Sequence, residues 1–397
     1  MIDFDKVTSR LGTDCVKFDG TSMLFNKEGL APFWVADMDF EIPDGVHQSI
    51  QNRLDARIFG YTMLSDANFY APIQHWWKER FNIDLDGYYI GSSPTVLFVI
   101  REYMERYSDV GDSILITSPS YNGFLNLIEN NKRNRVECPL SKTENGFELD
   151  FDQFESLCKD EKTKIYVHCN PHNPTGKVWT ADENKKIYDI CKRNNVQLIS
   201  DEIHMDFVRN VDFSSMFKQF DKNDPFIVVS GLGKTFNLAS LPFGYYLTKH
   251  KALKESYDQR IKKELNIITE NSLTLAALQG AYYDSAEWVD ALNAYIEDNM
   301  KLVKSFIDEH LSETLSFEVP NSTYLAWISF EQVGFTGEDV QKALIEVGNV
   351  AISPGHIYGE SSDQWIRLNV ATRRDYLLEG LEALKKSFEH LKEITSP

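Results

Sequence analysis

The sequence predicts an α/β protein, with a mostly parallel central sheet in a large domain and a smaller α+β domain beside it. Three observations carry this. The middle of the chain alternates short apolar runs with longer amphipathic stretches, the pattern of buried strands covered by helices on both faces. From Glu287 the pattern changes to a long apolar stripe at helical spacing, followed by further short apolar runs. Several of the earlier runs end at residues able to do chemistry, and open α/β sheets keep their ligands at the carboxyl ends of their strands.

Taken in order, Ser92-Ser-Pro-Thr95 leads into a helical stretch at 97–104. A helix start with free N–H groups and a hydroxyl binds phosphate, so Thr95 and the Val96 amide are candidates; a plain Ser-Pro cap is the other reading. The run 113–118 reads as a strand, and Tyr121 follows it. An aromatic there could stack on a flat ring, or be an ordinary loop tyrosine. The run 164–169 is a second strand, followed by Asn170-Pro-His-Asn-Pro-Thr-Gly176. Two Asn-Pro steps and a glycine force a rigid turn, which carries the Asn173 amide. Residues 181–192 read as a helix with Thr180 as its N-cap. The run 196–200 is a third strand, with Asp201 at its end.

The run 226–230 is a fourth strand, ending in Ser230-Gly-Leu-Gly-Lys234. A lysine ringed by small residues at a strand end is costly unless it is used. Burial favours its neutral amine, which attacks carbonyls and can hold an aldehyde as a Schiff base. A solvated loop lysine is the alternative; Asp201 and Asn173 at neighbouring strand ends weigh against it. Residues 243–247 are expected to return antiparallel.

Trp288, Leu292, Tyr295, Ile296, Met300, Val303 and Ile307 keep helical spacing, as in a helix bridging two domains or in a core stripe. The runs 325–328, 350–352 and 365–369 suggest a small sheet, and a helix follows from about Asp375. Arg367 alternates with apolar neighbours. An inward arginine needs an anion partner. A carboxylate fits its fork bidentately, whether from a ligand or from a buried salt bridge.

Bulk properties set limits. The chain has 397 residues and a net charge of −19, which argues against nucleic acid and anionic membrane surfaces as partners. Five cysteines are scattered without metal-ligand spacing, so reduced thiols in a cytoplasm are expected and no metal is. The charged start lacks an apolar run and predicts no secretory signal. No apolar run approaches transmembrane length.

Together, Lys234, Asp201 and Asn173 resemble the fold-type-I pyridoxal-phosphate enzymes, the aminotransferase class I/II superfamily. The likeness narrows on Pro32-Phe-Trp-Val-Ala-Asp-Met-Asp-Phe40, Phe59-Gly-Tyr61, Asn173-Pro-Thr-Gly-Lys-Val-Trp179, Ser200-Asp-Glu-Ile-His204 and Ser322-Thr-Tyr-Leu-Ala-Trp327. These segments resemble the cystathionine β-lyase (cysteine-S-conjugate β-lyase) branch, from the first residues to about Arg374.

The resemblance implies an aspartate aminotransferase-like fold. Its large domain would span 46–286, and 1–45 would join 287–397 in the small domain. It implies pyridoxal 5'-phosphate held by Lys234, with Asp201 on the ring nitrogen, Asn173 and His204 near the phenolate oxygen, and Tyr121 on the ring face. His204 stands where many aminotransferases carry tyrosine; a packed histidine is its other reading. Thr95, Val96 and Ser230 would bind the phosphate. The usual Ser or Thr three residues before the lysine is Gly231 here, and the basic residue eight after it is Pro242, so which hydroxyl donates to the phosphate stays open. Arg367 would grip a substrate carboxylate, with Trp34, Ala36 and Asp37 at the substrate entrance. Tyr61 corresponds to a residue reaching the neighbouring subunit's phosphate, implying a homodimer with shared active sites; an exposed surface tyrosine is the competing reading. The expected activity is a carbon–sulfur β-lyase on cystathionine or other S-substituted cysteines. An aminotransferase, or a regulatory protein that binds the cofactor, are the alternatives.

Overall fold

A computed structural model describes residues 2–144, 146–269 and 271–395. Its strands are β1 (Ala31–Pro32), β2 (Tyr89–Ser93), β3 (Ser113–Ser118), β4 (Asn134–Thr143), β5 (Gly146–Leu149), β6 (Thr163–Cys169), β7 (Gln197–Asp201), β8 (Ile227–Ser230), β9 (Gly244–Thr248), β10 (Leu325–Ser329), β11 (Val350–Ala351), β12 (Ser353–Pro354) and β13 (Trp365–Asn369). Eight of them form one sheet in the order β2-β9-β8-β7-β6-β3-β4-β5. The pairs β8/β7, β7/β6, β6/β3 and β3/β4 are parallel. Strand β9 runs antiparallel to both β2 and β8, the expected return. The predicted α/β class and mostly parallel sheet are therefore borne out.

Strand alternation splits the core into two layers. Ile114, Ile116, Val167, Ile199 and Val229 pack on one face with the helix Val96–Tyr107. Leu115, Tyr166, Leu198, Val228 and Tyr245 pack on the other. A strand buried on both faces reads as a continuous apolar run, which is why these strands were visible in the sequence. Burying each such side chain contributes about 1.5–3 kcal/mol. The helix Ala181–Arg193 opens on Thr180 with a full capping box to Glu183, worth about 1 kcal/mol against an alanine cap.

The stripe after Glu287 is the helix Ala286–His310. Beyond it, β10, β13 and β12 form an antiparallel sheet. The N-terminal strand β1 pairs in parallel with β11, so the first residues lie against the C-terminal part. The helix Arg374–Thr395 ends the described chain. Among the described residues, no helix is long and apolar enough to cross a membrane.

Candidate active site

Strands β2, β3, β6, β7 and β8 all point their carboxyl ends to one side, and the loops after them line a single cavity of about 180 Å³. Its walls include Thr95, Val96, Tyr121, Asn173, Asp201, His204 and Lys234. Seven expected site residues from five separate strand ends thus meet in one place.

Lys234 is half-buried, and its Nζ donates to the Ala36 carbonyl at 2.7 Å. Burial is the largest influence on its pKa, lowered to about 8; Arg367 lowers it further, while Asp37 and Asp201 oppose. A substantial neutral fraction near neutral pH is what a nucleophilic lysine needs. Asp201 closes β7 with its carboxylate buried, accepting one backbone bond from Ile203 at 3.1 Å. Burial raises its pKa to about 7, against that bond and Lys234. A carboxylate this poorly compensated gains from a cationic partner. His204 is buried with Nδ1 unpartnered, and burial holds it well below the usual histidine range. It is therefore the neutral ring.

Asn173 receives Arg367 Nη1 on its Oδ1 at 3.2 Å. Arg367 is buried in the middle of β13, donates Nη2 to the Trp34 carbonyl at 3.0 Å, and lies 4.8 Å over the Tyr358 ring. Its Nε has no partner among the described residues. It has no carboxylate partner there either, so the salt-bridge alternative is not what the structure holds. Tyr121 stands over Gly123, where a Cβ would lie 2.3 Å from its ring; burial raises its pKa, with Arg367 opposing.

At the far end, Thr95 caps the helix Val96–Tyr107, accepting the Phe98 N–H at 3.1 Å. Gly244 at the start of β9 presses against this helix start. A Cβ there would lie 2.7 Å from the Thr95 carbonyl carbon and 2.8 Å from the Val96 nitrogen.

Arg367, Trp34 and Ala36 are not among the cavity's walls but are hydrogen-bonded to Asn173, Arg367 and Lys234 respectively. Two further expected residues, Ser230 and Tyr61, lie elsewhere. Ser230 is buried at the end of β8 but is not among the cavity's walls; it pairs with Tyr245 in the sheet. Tyr61 is 98% exposed, in a surface depression beside Ile268 and Leu273.

The segment around Trp34 and Ala36, the expected substrate entrance, is held mainly through its backbone. Asn369 Nδ2 donates to the Val35 and Asp37 carbonyls at 2.6 Å each. Asn237 binds the Met38 N–H at 3.0 Å and its carbonyl at 2.9 Å. Asp37 and Asp39 are clamped by Arg10 at 2.6 and 2.9 Å, and buried Lys17 reaches Asp39 at 2.9 Å. Tyr324 donates its hydroxyl to the Ala36 carbonyl at 2.9 Å. Sequence reading assigned no role to Asn369, Asn237, Arg10 or Tyr324. Asn369 was accessible, since it lies two residues after Arg367 and so on the same strand face. The others required the fold.

A model of the family "aminotransferase class I and II" matches residues 100–384. The chain belongs to that family. This aminotransferase class I and II chain is 33% identical to Protein MalY of Escherichia coli, over 97% of this chain and 98% of that one. It is 29% identical to the cystathionine beta-lyase PatB of Bacillus subtilis, over 97% and 99%. Among solved structures, it resembles the PLP-bound C-S lyase of Staphylococcus hominis with TM-score 0.88 and 29% identity, over 99% of this chain and 100% of that one. Cystalysin of Treponema denticola, which contains pyridoxal 5'-phosphate, gives TM-score 0.92 and 26% identity over 99% and 100%. The expected likeness to the lyase branch of the family is borne out.

Proposed function

We propose that the chain is a pyridoxal-phosphate-dependent carbon–sulfur β-lyase that cleaves cystathionine or other S-substituted cysteines. The observation that carries this is the single cavity joining Lys234, Asp201 and Asn173 beside Arg367, in a chain whose full-length relatives include cystathionine β-lyases.

The residues fit the cofactor. His204 Nδ1 and Arg367 Nε are buried and unpartnered, and Gly244 keeps β9 close to the helix start at Val96. Lys234 would hold the aldehyde, Asp201 the pyridine nitrogen, Asn173 and His204 the phenolate side, Tyr121 the ring face, and Thr95 with Val96 the phosphate. Ser230 is the weaker phosphate candidate. When bound, the cofactor supplies an electron sink for the substrate's Cα.

The chain's own groups do the rest. Arg367 grips the substrate carboxylate. Lys234 Nζ takes the Cα proton as general base, which its lowered pKa allows. Asp201 holds a proton in place across from it. Trp34 and Ala36 border the entrance. Loss of the Cα proton and of a thiolate from Cβ, followed by water, gives a thiol, pyruvate and ammonia. An aminotransferase uses the same residues.

We propose the domain division 46–286 against 1–45 with 287–397, and a cytoplasmic homodimer. All five thiols are free and four are buried, which suits a reducing compartment. Exposed Ile58, Phe59, Tyr61, Met63 and Ile268 would be covered by the second copy, and Tyr61 would reach that copy's phosphate.

The test supplies cystathionine with and without a keto-acid acceptor. Stoichiometric pyruvate and homocysteine without acceptor are expected. Turnover that requires the acceptor and yields a new amino acid would make this an aminotransferase.

A further inference from the structure

Two donors converge on one oxygen beside the lysine. The Ala36 carbonyl receives Lys234 Nζ at 2.7 Å and the Tyr324 hydroxyl at 2.9 Å. A carbonyl oxygen has two lone pairs, so this acceptor is full. Neither Tyr324 nor Ala36 is free to drift. The carbonyls on either side of Ala36 are tied to Asn369. Tyr324 is fixed by an unusual anchor.

That anchor is Arg209, a buried guanidinium that spends most of its donors on backbone. It binds the carbonyls of Phe207 and Thr323 at 2.8 Å each, Pro320 at 3.2 Å and Ser322 at 3.3 Å, with Glu297 on Nε at 3.1 Å. Ser322 Oγ adds a bond to the Gly176 carbonyl at 2.8 Å. Between them Thr323 sits at φ +61°, an outlier for a β-branched residue, which the surrounding bonds must hold in place. A strained backbone, pinned by a buried arginine, presents one hydroxyl to the carbonyl that binds the reactive lysine. Packing alone would not need that hydroxyl, since the Tyr324 ring already lies against Phe207 at 4.9 Å.

We propose that Tyr324 is a positioning residue for Lys234, whose hydroxyl fixes the Ala36 carbonyl and shares it, so that this carbonyl holds the lysine in place without binding its charged form tightly. The inference rests on Lys234 being the reactive lysine of the proposed lyase. Two donors on one oxygen repel each other through their positive ends. Removing the hydroxyl leaves the carbonyl to the ammonium alone, which stabilises the protonated lysine. The other groups acting on Lys234 are Arg367 on β13, Asp37 on the entrance segment and Asp201 on β7, with neutral His204 beside them. None of these bonds the Tyr324 hydroxyl.

The experiment uses the full-length chain freed of carbonyl cofactor with hydroxylamine. Limiting acetic anhydride is applied from pH 6 to 10, and acetylation of Lys234 is read by peptide mass spectrometry. Tyr324→Phe keeps the ring and should move the labelling midpoint up by about 0.5 pH unit, about a threefold slower labelling at pH values below both midpoints. Tyr295→Phe, which removes a hydroxyl that meets Asp5 and the Arg374 N–H instead of Ala36, should leave the midpoint where it is. An unchanged or lowered midpoint in folded Tyr324→Phe, or an equal shift in Tyr295→Phe, overturns the proposal. The readout is independent of the lyase reading: wild-type protein that makes no pyruvate from cystathionine sinks that reading and leaves the labelling result standing.

Discussion

Asp201 carries a pH signature that can be measured without any substrate. Its folded-state pKa is raised to about 7 from a carboxylate's ordinary 3.8, chiefly by burial. A raised pKa gives a contribution to stability that is complete below the unfolded value and lost as pH rises through the folded one. Between roughly pH 4 and pH 7 the Asp201 contribution to the stability of the cofactor-free chain should therefore fall as pH rises, while buried His168 and His172, held down to about 3, act the other way. Asp201→Asn should remove that fall and make the stability slope more positive by up to about 1.4 kcal/mol per pH unit; denaturant melts of both proteins at successive pH values read the difference, and an unchanged slope would contradict the raised pKa. The same variant should lose most turnover, because an amide cannot hold a pyridinium proton. Arg367→Ala should weaken the carboxylate contact by about 1.5–3 kcal/mol, roughly a 10- to 150-fold drop in kcat/KM. An equal drop with amines that lack a carboxylate would show that Arg367 is not the clamp. These residues were legible because each pairs an expensive side chain with a strand end or a buried strand. Tyr324 and Asn237 were not, since what they bind is backbone nearly 200 residues away or more, and nothing local announces it.

Elements were legible in proportion to how deeply both their faces are buried. Strand β3 and strand β13 fall at the expected residues, and β6, β7 and β8 within one residue at either end, because each is buried almost throughout and built around apolar residues. Strand β4, Asn134–Thr143, gave no such signal. Half-buried and exposed positions dominate it, and its partner β5 is an edge strand, so little apolar sequence is demanded of either. Strand β2 was also missed, and Gly91 explains part of that: a Cβ there would lie 2.1 Å from the Tyr246 ring, so close packing replaced an apolar residue with glycine. Gly244 makes the same argument testable. Gly244→Ala forces β9 off the start of the helix Val96–Tyr107 and should cost about 1–3 kcal/mol of stability. It should also weaken retention of pyridoxal phosphate, since the amides at Thr95–Val96 shift with the helix. A thermal melt alongside a cofactor-release titration checks both, and wild-type retention in a destabilised variant would remove this helix start from the phosphate site.

At the scale of the whole molecule, one feature of the isolated chain looks incomplete. Tyr61 is 98% exposed, and Leu54, Ile58, Phe59, Met63 and Ile268 are exposed with it. A chain carrying a charge of −19 gains solubility from that charge and has no need of an apolar tyrosine-bearing surface. Contiguous exposed apolar residues of this kind mark an interface, and a two-fold interface places the same residue in both sites. In the proposed dimer each cavity then depends on Lys234 from one copy and Tyr61 from the other. Tyr61→Ala and Lys234→Ala should each be inactive or nearly so as pure dimers. In a mixed dimer, one site carries both lesions and the other carries neither. Random exchange makes half the dimers mixed, and half of their sites intact, so recovery should approach about a quarter of wild-type activity. Subunit exchange is followed with differently tagged copies, and activity is read as pyruvate from cystathionine. Full exchange with no recovery would mean that each chain completes its own site and that the exposed tyrosine serves some other contact.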